Sequence, residues 1–132
     1  MINLLTVTAA IEVGAGLVLV ALPSLLVTAL SGSSVATPVE LTLARLAGVA
    51  LLALGVACWL ARHDGQSRAS RGLVGAMVLY NAGVASVFAY AALGLGLSGI
   101  LPWAVVLLHA AMAAWCVIRL VARPGQISGQ MN

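Results

Sequence analysis

Four long apolar stretches, at about 4–22, 39–60, 72–93 and 101–121, restrict most strongly how this chain can fold. Each approaches the roughly 20 residues that an α-helix needs to cross a hydrocarbon core about 30 Å thick. Inside a bilayer the backbone must satisfy its own hydrogen bonds, which a helix does within one segment. We therefore predict an all-α fold, an integral membrane antiparallel four-helix bundle that forms a single transmembrane domain over residues 1–132.

The composition agrees with this class of protein. Of the 132 residues, 63% are hydrophobic and 7% are charged, and the mean hydropathy is +1.16, whereas about a quarter of the residues in soluble domains are charged. The net charge of +3 comes from arginines that form no basic run, so no nucleic-acid partner is expected. The partner that the composition predicts is the lipid bilayer.

The connections between the apolar stretches differ in charge, and this difference predicts the topology. Five arginines fall on the side of the polar loop 62–71: Arg62, Arg68, Arg71, Arg119 and Arg123. The other two connections contain no arginine, and four spans place both termini on the side of the polar loop. By the positive-inside rule that side is cytoplasmic. We expect a bacterial-type inner (plasma) membrane, with the N and C termini and the 62–71 loop in the cytoplasm.

Two local patterns predict helix boundaries. Pro23 lacks a backbone N–H and should bend or stop the first helix, so residues 24–30 form either a kinked continuation or a short interfacial segment. Thr37, Pro38 and Glu40 have the spacing of a capping box with proline in the first turn. The second long helix is therefore predicted to begin at Pro38.

Polar side chains interrupt the apolar stretches at similar depths. Glu12, Asn81 and His109 lie near the middle of the first, third and fourth stretches. Arg45 lies about two turns into the second stretch. An ionised residue at the bilayer centre costs about 2.5–3.5 kcal/mol, and Arg cannot escape this cost by losing its proton. We therefore expect Glu12 to pair with Arg45.

This cluster, with Tyr80 beside Asn81, is the candidate site, and two functions are compatible with it. In the first, a small membrane protein binds a small ligand or conducts protons: Glu12 is the titrating or ligand-contacting acid, Arg45 its counter-ion, and the other polar groups orient the ligand. In the second, the cluster only holds the helices together through interhelical bonds worth about 0.6–2 kcal/mol each. The protein would then be a non-catalytic accessory or assembly subunit of a membrane complex, or a homo-oligomer.

No motif in the sequence names a reaction. Cys58 and Cys116 lie far apart in apolar stretches, and His63 has no partner at metal-ligand spacing. No glycine-rich loop precedes a phosphate-binding lysine, and no nucleophile elbow is present. The sequence therefore predicts no catalytic and no metal-binding residue and names no cofactor, and an enzyme would require a membrane-buried site that the sequence does not declare.

Two segments resemble known families. The segment AIEVGAG at 10–16 resembles the start of small multidrug resistance transporters, four-helix proteins with a membrane-embedded Glu in the first helix. That Glu binds protons or cationic drugs, so the resemblance implies the same role for Glu12. The segment RLAGVALLALG at 45–55 is similar to the Arg-x-x-Gly start of the second helix in DoxX-like four-helix bacterial membrane proteins. This second resemblance implies a four-helix fold and, through some relatives, a subunit of a quinone-linked membrane oxidoreductase.

Overall fold

The computed structural model describes residues 2–32, 36–65, 67–97 and 99–122. In these residues the chain forms helices and loops and no strand, which confirms the all-α prediction for the described part of the chain. The described helices number five rather than four: α1 (Ile2–Ala21), α2 (Pro23–Ser31), α3 (Pro38–Ala61), α4 (Arg68–Gly94) and α5 (Ile100–Val121).

Four of these helices, α1, α3, α4 and α5, are long and apolar enough to cross a membrane. They contain 20, 24, 27 and 22 residues, and their ends lie within a few residues of the four apolar stretches. Their outer faces carry large apolar side chains, such as Leu79 at 77% and Ile100 at 85% exposure. So much exposed apolar surface is unusual for a soluble monomer. The helices indicate a small multi-pass membrane protein.

The additional helix, α2, exists because Pro23 interrupts the first apolar stretch. The N–H of Leu22 still donates to the Val18 carbonyl at 2.8 Å, but Leu22 itself leaves helical geometry at φ −130° and ψ 52°. Pro23 then occupies the first turn of α2, where its missing N–H costs no hydrogen bond. Residues 24–30 therefore belong to a separate short helix, which packs mainly against α3 and also contacts α1 and α5.

The start of α3 confirms the predicted capping box. The Thr37 side chain accepts a hydrogen bond from the Glu40 N–H at 3.3 Å, and the Glu40 carboxylate accepts one from the Thr37 N–H at 2.6 Å. Pro38 is the first residue of the helix, as predicted. These bonds satisfy backbone donors that a helix start otherwise leaves free.

The connection between α3 and α4 is held by local polar contacts. The Arg62 guanidinium lies 3.5 Å from the centre of the Trp59 ring and donates to the Trp59 carbonyl. At the start of α4, the Ser67 hydroxyl donates to the Asp64 carboxylate and accepts from the Ser70 N–H at 3.0 Å. Ser67 therefore caps α4, and the chain turns between two long helices over a few residues.

Helices α1 and α3 approach so closely that their backbones touch. A Cβ atom added to Gly16 would lie 2.8 Å from the Gly48 carbonyl oxygen, and one added to Gly55 would lie 3.2 Å from the Ala9 carbonyl oxygen. Gly16, in the second half of α1, therefore contacts Gly48 in the first half of α3. Ala9, in the first half of α1, contacts Gly55 in the second half of α3. Small residues at such positions allow the close approach typical of helix pairs in membranes.

The hydrophobic core lies at the end of the helices that adjoins the 62–71 loop. Its buried members come from all four long helices: Leu4, Leu5, Ala9, Cys58, Val74, Met77, Met112 and Cys116. We call this region, residues 2–12, 55–61, 68–81 and 109–121, the arginine-loop half. The remaining helical residues form the opposite half, in which the buried positions among the described residues are Gly16, Pro23, Ala44, Gly48 and Pro102.

Candidate functional site

Glu12 lies at the boundary between the two halves, on the buried face of α1. Its side chain is 3% exposed, and its Oε2 accepts a hydrogen bond from the Tyr80 hydroxyl at 3.3 Å. This bond joins α1 to α4 across the interior of the molecule. Glu12 is buried because α1 turns the face that also carries Thr8 and Gly16 inward, at the helical spacing of four residues.

Tyr80 connects Glu12 to a third helix through His109. The two rings meet edge to face, with centroids 5.9 Å apart at an interplanar angle of 66°. The Nδ1 of His109 bonds the Val105 carbonyl at 2.9 Å. Since a carbonyl oxygen only accepts, Nδ1 is the donor in this bond, and Nε2 is the ring nitrogen that it leaves free for another partner. The carboxyl of Glu12, the phenol of Tyr80 and the imidazole of His109 therefore form a continuous series of contacts across three helices.

Asn81 is buried as expected for an interior residue, at 2% exposure, but its amide is used within its own helix. Its Nδ2 donates to the Met77 carbonyl at 2.8 Å, one turn earlier in α4. Asn81 lies beside Tyr80 in the sequence, and its side chain belongs to the buried stripe of α4 with Met77 and Val74. The described contacts therefore place Asn81 next to the site without joining it to Glu12 or His109.

Arg45 does not pair with Glu12. It lies on the exposed face of α3, and no ion pair connects it to the described residues. The buried positions of α3 include Ala44 and Gly48, and Arg45 follows Ala44 by one residue, which turns its side chain about 100° away from the interior. The predicted ion pair between Glu12 and Arg45 does not form. It was inferred from the depth of each residue along its helix, and depth does not determine the direction in which a side chain points.

Thr8 is a polar residue of this region that the sequence reasoning did not assign to the site. It is 1% exposed, and its hydroxyl oxygen has no hydrogen-bond partner among the described residues. Thr8 precedes Glu12 by four residues and therefore shares its helix face. That spacing was the available signal, but a threonine in an apolar helix is common and does not by itself indicate a site.

The arrangement is suited to holding or passing a proton. Carboxyl, phenol and imidazole groups all exchange protons, and here a hydrogen bond joins the first two. Within the described ranges, no three His, Cys, Asp or Glu residues are grouped so that they could hold a metal ion. Cys58 and Cys116 are free thiols buried in the core rather than members of the polar group.

The four long apolar helices define the class as a small multi-pass membrane protein. No protein-family model matches the chain, and no curated protein and no solved structure matches it.

Proposed function

We propose that this protein is a small multi-pass inner-membrane protein that takes up a proton, or a small ligand in its place, at Glu12. The four long helices form an antiparallel bundle across the membrane, with both termini and the 62–71 loop in the cytoplasm. The contact register of α1 against α3 and the arginines of the 62–71 loop support this arrangement.

The observation that carries the proposal is a buried carboxyl without a cationic partner. Glu12 receives one hydrogen bond, from Tyr80, and no arginine of the described chain pairs with it. A carboxylate left unpaired among apolar helices is costly, so the group either holds a proton or binds a species that replaces it. Tyr80 and His109 then orient the bound species and relay the proton between Glu12 and the interior of the opposite half.

The test is infrared difference spectroscopy of the carboxyl group during a pH titration of the purified protein in lipid. We expect a protonated-carboxyl band that appears and disappears reversibly in the wild type and is missing in Glu12→Gln. Glu40→Gln is the matched control because Glu40 is an exposed glutamate at the start of α3. If Glu12→Gln is folded and its difference spectrum equals that of the wild type, the proposed proton site does not exist.

The exposure of Arg45 favours a second candidate, a non-catalytic accessory or assembly subunit of a larger membrane complex. Arg45 lies seven residues into α3, about 10 Å along the helix from Pro38. At that depth an outward arginine either reaches up to the headgroups or contacts another chain. The mass of the detergent-solubilised complex, measured by light scattering for wild type and Arg45→Ala, decides this: an assembly role predicts a smaller complex in the variant, and an unchanged mass argues against it.

A further inference from the structure

The interior face of α4 changes its character at Asn81. Toward the arginine loop, Val74 and Met77 on this face are fully buried. Beyond Asn81, Val84 and Phe88 continue the same face at three- and four-residue spacing, yet they are only half-buried. On this face, Val84 and Phe88 in the opposite half are therefore more accessible than Val74 and Met77 in the arginine-loop half.

Helix α5 changes in the same way and at the same level. Met112 and Cys116 on its interior face are buried in the core, at 7% and 0% exposure. His109 and Val105, the next residues on that face, are half-buried. The half-buried positions of α5 thus begin where the polar groups of the site lie and extend to Val105. The next residue on this face, Pro102, is buried, so beyond Val105 the accessible interior positions lie on α4, at Val84 and Phe88.

The polar groups at this boundary need a partner. The Nε2 atom of His109 makes no hydrogen bond with the described residues, and Glu12 uses only its Oε2 atom, toward Tyr80. Ionisable groups within membrane helices face the interior of the protein or a water-filled space, because lipid leaves them unsolvated. A water molecule beside the half-buried His109 would supply such a partner.

We infer that water reaches the Glu12 site from one end only, through the interior of the opposite half along α4, past Phe88 and Val84. The core of the arginine-loop half seals the other end, since Leu4, Leu5 and Met77 leave no exposed surface there. The inference rests on the proposed function in that it names the side from which the proton or ligand arrives. With the proposed orientation, that side is the non-cytoplasmic one.

Cysteine labelling in vesicles of known sidedness tests this inference. The probe is a water-soluble methanethiosulfonate that carries a quaternary ammonium group and does not cross lipid. Native Cys58 and Cys116 are both 0% exposed. Their rate of labelling in the unsubstituted protein gives the background for buried thiols in the arginine-loop half. We expect Val105→Cys to react at least about tenfold faster than these buried thiols, and only when the probe is added opposite the arginine loop.

Two control variants define the background. Leu107→Cys places a thiol on the outer face of α5, at a position that is 69% exposed and that lipid covers in the membrane, so it should not react. His63→Cys places a thiol on the exposed loop and should react only from the loop side. Val84→Cys on α4 repeats the measurement if Val105→Cys does not fold.

Three results overturn the inference: reaction at Val105→Cys and Val84→Cys no faster than at the native cysteines, reaction from the loop side, or equal reaction at Leu107→Cys. The labelling does not depend on the chemistry of Glu12. One-sided labelling together with an unchanged infrared spectrum in Glu12→Gln therefore supports the access route and rejects the proposed proton site.

Discussion

The two closely packed helix pairs use glycine in opposite ways. In the α1/α3 pair, Gly16, Gly48 and Gly55 lie where a Cβ atom would come within 2.9 Å of the facing helix. In the α4/α5 pair, an added Cβ at Gly75 or Gly83 would meet nothing within 4 Å. The first set brings two backbones into contact, whereas the second set adds nothing to packing within the described chain. The same residue type therefore has a structural role in one pair and none in the other.

This difference shows what each pair contributes to the site. Backbone contact fixes α1 against α3, and so fixes the direction in which Glu12 points. The α4/α5 pair is instead joined through larger side chains, including the edge contact of Tyr80 with His109. A rigid pair thus presents the carboxyl to a pair that carries the proton-exchanging rings, and the Tyr80–Glu12 bond connects the two.

The largest expected effect is at the backbone contact of the α1/α3 pair. In Gly48→Ala the new methyl group would lie 2.9 Å from both the Gly16 carbonyl oxygen and the Leu19 Cβ atom. Backbone cannot yield as a flexible side chain does, so we expect a loss of about 1–3 kcal/mol in the free energy of unfolding. Titration from a mild into a denaturing detergent, followed by circular dichroism, measures this loss. Stability equal to that of the wild type would show that the helices can separate without cost.

The matched substitution in the other pair should act in the opposite direction. In Gly83→Ala the methyl group meets no neighbouring atom within 4 Å, while alanine reduces the conformational freedom of the unfolded chain. We expect a gain of about 0.4–1 kcal/mol in the same detergent titration. A loss comparable to that of Gly48→Ala would remove the contrast between the pairs, and would indicate that Gly83 contacts another chain.

Much of the fold follows from the sequence, because the signals for it are local. Helix length and apolar composition predict the four long helices, and Thr37 with Glu40 predicts where α3 begins. Pro23 leaves open whether residues 24–30 form a kinked continuation or a short interfacial segment, and in the structure they belong to a separate short helix, α2. Local sequence does not show whether a glycine lies at a helix contact. Gly48 and Gly83 occupy similar apolar surroundings in the sequence, and only the presence of a facing helix at Gly48 distinguishes them.

The site was predictable to a lesser degree. The depth of Glu12 and His109 could be read from their place along each helix, and both lie at the same boundary of the structure. The direction in which a side chain points could not be read from the sequence. Arg45 follows the buried Ala44 by one residue, and this places its side chain on the exposed face of α3. Tyr80 illustrates the same limit. The sequence places it beside Asn81 in the candidate site, but its hydrogen-bond partner, Glu12, depends on how the two helix pairs are docked.

The smallest expected effect concerns the hydrogen bond between the pairs. Tyr80→Phe keeps the ring and its contact with His109 but removes the hydroxyl that donates to Glu12. Interhelical hydrogen bonds in membranes contribute on average about 0.6 kcal/mol, so the loss of stability should be well below that of Gly48→Ala. In the infrared titration, by contrast, the Glu12 carboxyl band should shift clearly, because the carboxyl loses its hydrogen-bond donor. A large loss of stability with an unmoved carboxyl band would reverse this expectation, and would show that Tyr80 holds the two pairs together rather than serving Glu12.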